Sequence, residues 1–67
     1  MPWFFVSYQV RFTSRFIPQI TPVEAATGEE AVAKLRREAR IVTGLDPEEF
    51  HSRFRAFKFH PVEMLEE

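Results

Sequence analysis

The chain has 67 residues, no cysteine and a formal net charge of -1. A chain this short buries only about 60% of the surface its unfolded form exposes, so residues 1–67 are read as one domain with one small core. The missing cysteines exclude disulfide and thiolate-metal staples and fit a reducing cytoplasm; the charge argues against a general phosphate-backbone binder; and no apolar run reaches the roughly 20 residues of a membrane helix.

Aromatic mass takes the place of a staple, with eight Phe, one Trp and one Tyr making up 15% of the chain. A buried ring removes roughly 150–250 Å² from water, so a few rings hold a small core together. The opening Met1-Pro2-Trp3-Phe4-Phe5-Val6 is apolar but has no basic flank, and Gln9 and Arg11 follow soon after, so no secretory leader is predicted. Residues 3–12 alternate instead. Phe4, Val6, Tyr8, Val10 and Phe12 share one face, and Trp3, Phe5, Ser7, Gln9 and Arg11 share the other. That period predicts a strand with one buried face.

Thr13, Ser14 and Arg15 form a polar break before a second extended segment, Phe16 to Glu24. Pro18 and Pro22 have the same parity, so both delete N–H groups from one side and leave the other able to pair. An edge strand paired with the first as a hairpin is expected.

Thr27-Gly28-Glu29-Glu30 is a capping box, in which the Thr27 hydroxyl accepts from the third helical N–H and Glu30 reaches back to the Thr27 N–H. Behind it Ala31, Val32, Leu35, Ala39 and Val42 fall within about 100° of arc. Gly44 stands where a left-handed terminator belongs. A helix over 28–43 follows. Asp46, Pro47 and Glu49 open a second, short helix to about Arg53, with Leu45 and Phe50 placed as a hydrophobic staple. Arg55, Phe57 and Phe59 then alternate with Ala56, Lys58 and His60, a third strand ending between Pro61 and Met64. The predicted fold is α+β: a three-stranded antiparallel sheet in the order 2-1-3, the long helix on one face and the short helix before the last strand.

Little in the chain has the pattern of chemistry. His51 and His60 are the two imidazoles and neither has further ligands at a spacing that compels a metal site, even with Glu48 and Glu49 beside His51. There is no Gly-rich phosphate loop, and Ser7, Ser14 and Ser52 lack an acid-base partner pattern. No cofactor, metal or catalytic residue is predicted, and the chain reads as a non-enzyme.

Three features could instead contact a partner. Arg53-Phe54-Arg55-Ala56-Phe57-Lys58-Phe59-His60 interleaves basic and aromatic residues as a base-stacking surface does, but inward Phe57 and Phe59 with solvated Lys58 and His60 is the favoured explanation. Arg36, Arg37 and Arg40 lie on the outer helix face without an acid four residues earlier, whereas Lys34 has Glu30; an ordinary solvated face is the favoured explanation, and a contact for an acidic protein surface or a nucleic acid is the alternative. A single helix covers one face of a sheet, which leaves Trp3 and Phe5 exposed on the other unless Val62, Met64 and Leu65 fold across them.

The layout, with Val23-Glu24-Ala25 and then Thr27-Gly28-Glu29-Glu30-Ala31 leading into a helix, resembles that of small phage-encoded ββαβ proteins. Those proteins dock on host machines such as RNA polymerase or a CRISPR effector and block them. The resemblance implies a non-catalytic protein-binding module, an inhibitor or accessory subunit, and assigns no residue a role. Trp3, Phe5, Arg11, Arg36, Arg37, Arg40, Arg55 and Lys58 are the candidate partner-binding residues. The alternatives are a nucleic-acid-binding accessory domain using Arg53, Arg55, Lys58 and the helix arginines, and a structural subunit of an assembly. A protein partner is expected ahead of nucleic acid, with self-association open and no membrane.

Overall fold

The computed structural model describes residues 2–62. The unbroken alternation of the first segment forms β1 (Trp3–Phe12), which turns through Thr13 and Ser14 into β2 (Arg15–Glu24). Then come α1 (Gly28–Thr43), α2 (Pro47–Arg53) and β3 (Phe54–Pro61). The sheet has the order β2-β1-β3, antiparallel throughout, so β1 is central as its complete apolar face requires.

Phe12 pairs with Arg15, closing a two-residue hairpin. The closing pair of such a hairpin exchanges hydrogen bonds, which directs the odd residues of β2 towards β1 and the even ones outwards. Pro18 and Pro22 are therefore both on the outer edge, where their missing donors cost no ladder bond.

Both helices start and stop where their caps direct. Thr27 Oγ1 accepts from Glu30 N at 3.1 Å, and Gly44 ends α1 with φ 70 and its N–H on Arg40 O. The Glu30 carboxylate reaches one residue further back than the capping box predicts, accepting from Ala26 N at 3.1 Å. Lys34 does not pair with Glu30; its Nζ donates to Glu24 O at 2.6 Å, which ties α1 to the end of β2. In α2 Asp46 Oδ1 accepts from Glu49 N at 2.8 Å, while the Glu49 carboxylate turns forward to Arg53 at 3.7 Å. Gly28 is buried because a Cβ there would fall within the Phe59 ring, so glycine is what lets α1 start against β3.

The core is smaller than the alternation of β1 promises. Phe4, Val6, Ala25 and Ala31 form it, with Val23, Val32, Leu35 and Phe57 packed around them. Further along β1, Tyr8 and Val10 are half-buried and Phe12 is 68% exposed. Val42, expected in the buried stripe of α1, is 80% exposed. Two facts account for this. Sixteen helical residues span about 24 Å against roughly 33 Å for a ten-residue strand, so α1 cannot cover the whole face. Tyr8 is also already covered, since the Phe57 and Phe54 rings stand 5.3 and 6.0 Å from it and Phe50 stacks on Phe54 at 4.4 Å. This aromatic cluster beneath α2 is a second packing centre, and α1 lies clear of the sheet at its C-terminal end.

β3 departs from simple alternation. Ser7 pairs with Lys58 but Gln9 pairs with Arg55, so two residues of β3 face one of β1. Ala56 takes the left-handed conformation at φ 61 that such a bulge requires. The bulge reverses parity: Phe54, Phe57 and Phe59 all serve the helix side, and Arg55, grouped with Phe57 and Phe59 by alternation, crosses to the other face.

Candidate functional site: the open face of the sheet

Cross-strand partners share a face, so the register assigns the side of the sheet that carries no helix. On β1 it presents Trp3, Phe5, Ser7, Gln9 and Arg11; on β2, Phe16, Pro18, Ile20, Pro22 and, at the end beside Trp3, Glu24; on β3, Arg55, Lys58 and His60. Trp3 is 48%, Phe5 40% and Ile20 60% exposed. Large apolar groups gathered on one face at this exposure are unusual for a free surface.

The face is divided along its length. Its β2 side is apolar from Phe16 through Pro18 and Ile20 to Pro22 and ends on Glu24 beside Trp3. Its β3 side is a row of nitrogen-bearing groups, Arg55, Lys58 and His60. Down the middle, Trp3 and Phe5 lie at one end, Ser7 and Gln9 form a polar waist, and Arg11 sits at the hairpin end. The waist is cross-linked: Arg55 Nε donates to Gln9 Oε1 at 2.8 Å, and Ser7 Oγ lies 3.2 Å from His60 Nε2. The Arg55 guanidinium also sits 3.5 Å above the Phe16 ring centre. These contacts hold Arg55 and His60 in place, and those of Arg55 run across all three strands.

Five of the predicted partner-binding residues therefore meet here: Trp3, Phe5, Arg11, Arg55 and Lys58. The other three do not. Arg36, Arg37 and Arg40 line an open recess of ≈ 830 Å³ between α1 and α2, together with Ala33, Pro47, Phe50, Glu48 and His51. Arg36 is partly committed there, with its guanidinium 5.1 Å over the Phe57 ring. Arg53 lies on α2 beside Glu49, so the basic-aromatic run over 53–60 splits between two surfaces. Ile20 and His60 join the open face without having been singled out. Ile20 shares the parity of Pro18 and Pro22, and His60 that of Lys58, which were the available signals.

Val62 donates its N–H to Trp3 O at 3.1 Å and prolongs the β3 ladder alongside Trp3. Met64 and Leu65, considered as a cover for the rings, lie outside the described residues. Among the described residues no three His, Asp or Glu side chains gather as a metal site would need, and no helix is long and apolar enough to cross a membrane. Comparison with protein-family models, curated proteins and solved structures finds no match.

Proposed function

We propose that the chain is a small non-catalytic protein-binding module and that the open face of its sheet is the docking surface. The observation that carries this reading is the joint exposure of Trp3, Phe5 and Ile20 on one face. Trp is the residue type most enriched among binding hot spots, where a ring enters a pocket and neighbouring contacts exclude water. The likeness of layout to phage-encoded proteins that dock on host machines points in the same direction.

The test uses a partner captured from lysate and then titrated in purified form. Trp3→Ala and Phe5→Ala each weaken binding by about 2 kcal/mol or more, as hot-spot truncations do, and leave the thermal midpoint within a few degrees. If both variants bind as tightly as the parent chain, the docking surface lies elsewhere. If both lower the melting temperature steeply, the rings belong to a packed core and the reading fails.

A further inference from the structure

We infer that the occupant of the open face is an amphipathic α-helix of the partner, apolar along one stripe and carrying Asp or Glu along one flank. It lies along the strands with its acids over β3. The inference rests on the reading of this face as a protein-docking surface.

Strand addition is closed at both edges. Pro18 and Pro22 remove outward donors from β2. On β3, Val62 bonds inward to Trp3, so alternation turns Pro61 outward, where it has no N–H to give. The bulge at Ala56 interrupts the same edge above it. Only Phe57 and Phe59 keep outward N–H groups between those two breaks, too few for an extended peptide to pair with. A partner must therefore meet side chains on the face.

The dimensions and chemistry of that face suit a helix. Three strands about 4.8 Å apart make a surface about 14 Å wide, and a helix with its side chains measures about 10–12 Å across. The lengthwise division into an apolar side and a nitrogen-bearing side is the complement of an amphipathic helix with one charged flank. The spacing agrees as well. Same-face residues on a strand repeat every 6.6–6.8 Å or so, while acids at i and i+4 on a helix repeat about every 6 Å. His60, Lys58 and Arg55 thus match successive Asp or Glu residues along a flank.

Two other occupants fit less well. A second copy packed face to face across a two-fold axis parallel to the strands would set the cationic β3 side of each chain on the apolar β2 side of the other. With the axis perpendicular to the strands, β3 would lie on β3 and the cations would oppose one another. Single-stranded nucleic acid needs ring faces on which to stack. Here the free rings are Trp3 and Phe5, both at one end of β1; Phe16 is already covered by Arg55, and Pro18, Ile20 and Pro22 offer no aromatic face, so stacking could not continue along the sheet.

Trp3 is the chain's one tryptophan and so reports on this surface directly. The probes are two synthetic 18-residue helices with the same leucine stripe, one flanked by glutamate and one by lysine, and a thymidine oligonucleotide. The glutamate helix is expected to shift Trp3 emission to the blue in a saturable titration and to bind about tenfold or more tightly than the lysine helix. Lys58→Glu, a change at an exposed position, is expected to remove that preference without altering the melting temperature. Equal binding of the two helices, tighter binding of the oligonucleotide, or a blue shift that follows protein concentration alone with a dimer in sedimentation would each overturn the inference. The underlying reading is separated by iodide quenching of the chain by itself at low concentration. A Trp3 that iodide cannot reach means the face is already covered, and both conclusions fall. A quenchable Trp3 with no preference among the probes overturns the helix alone.

Discussion

Thr13 and Ala56 hold φ angles of 60 and 61, in the region where a Cβ crowds the neighbouring carbonyl. They stand at the two places where the sheet changes direction or parity, the hairpin turn and the bulge. Thr13 is the more strained, because its branched Cβ suits this region least, and its hydroxyl donates to the adjacent Phe12 O. Thr13→Gly is expected to stabilise the chain by about 0.5–1 kcal/mol after allowing for the extra freedom of glycine in the unfolded state. For a domain of this size that is roughly a 2–8 °C rise in melting temperature, measurable by far-UV circular dichroism. Ala56→Gly is expected to act in the same direction and by less. A fall in melting temperature at Thr13→Gly would show that the side chain contributes more than its backbone strain costs.

At the scale of elements, α2 is short and its hold on the sheet depends on one side chain. Phe50 is buried and stacks between Phe54 and Phe57, with ring centres 4.4 and 6.4 Å away. Seven residues make a marginal helix on propensity alone, so packing is what keeps it. Phe50→Ala is expected to cost about 3–5 kcal/mol, a large fraction of the stability of a domain this size, as read from a urea midpoint. Leu35→Ala is expected to cost less, about 2 kcal/mol, because Leu35 is only half-buried beside the main core. The reverse order would mean that α1 and the Phe4–Val6 core carry the fold and that the aromatic cluster is secondary.

Over the whole molecule, two blunt edges flank an open apolar face. The Cα extents of 44 × 21 × 16 Å show a flat, elongated particle rather than a sphere. A sheet of three strands with free edges would pair with its neighbours in solution. Pro18 and Pro22 prevent that on β2, so the double variant Pro18→Thr, Pro22→Thr is expected to self-associate at concentrations where the parent chain does not, as sedimentation velocity would show. An unchanged sedimentation coefficient would place the protection elsewhere. The charge is also unevenly placed. Asp46, Glu29, Glu30, Glu48 and Glu49 gather at helix starts, where the dipole favours them, while Arg11, Arg55 and Lys58 occupy the open face. A net charge of -1 therefore hides an open face on which three basic side chains meet one acid, Glu24.

The sequence alone determined the strands, the helices and the order of the sheet, because these rest on local chemistry. Alternation along β1 needs no distant partner; Thr27, Asp46 and Pro47 start helices within a single turn; Gly44 ends one; and same-parity prolines can only lie at an edge. Trp3 and Phe5 could be placed opposite the helix by counting alone. The tertiary structure decided what depends on two segments meeting. The register of β3 on β1, with Ala56 as the extra residue, moved Arg55 onto the open face beside Lys58 and His60, and no run of eight residues read by itself reveals a bulge. The distance that α1 reaches along the sheet left Phe12 exposed, since helix and strand rise by different amounts per residue, and the lift of its C-terminal end off the sheet left Val42 exposed. The division of the open face into apolar and cationic sides exists only because hydrogen bonds between strands set Ile20 and Lys58 on either side of Ser7.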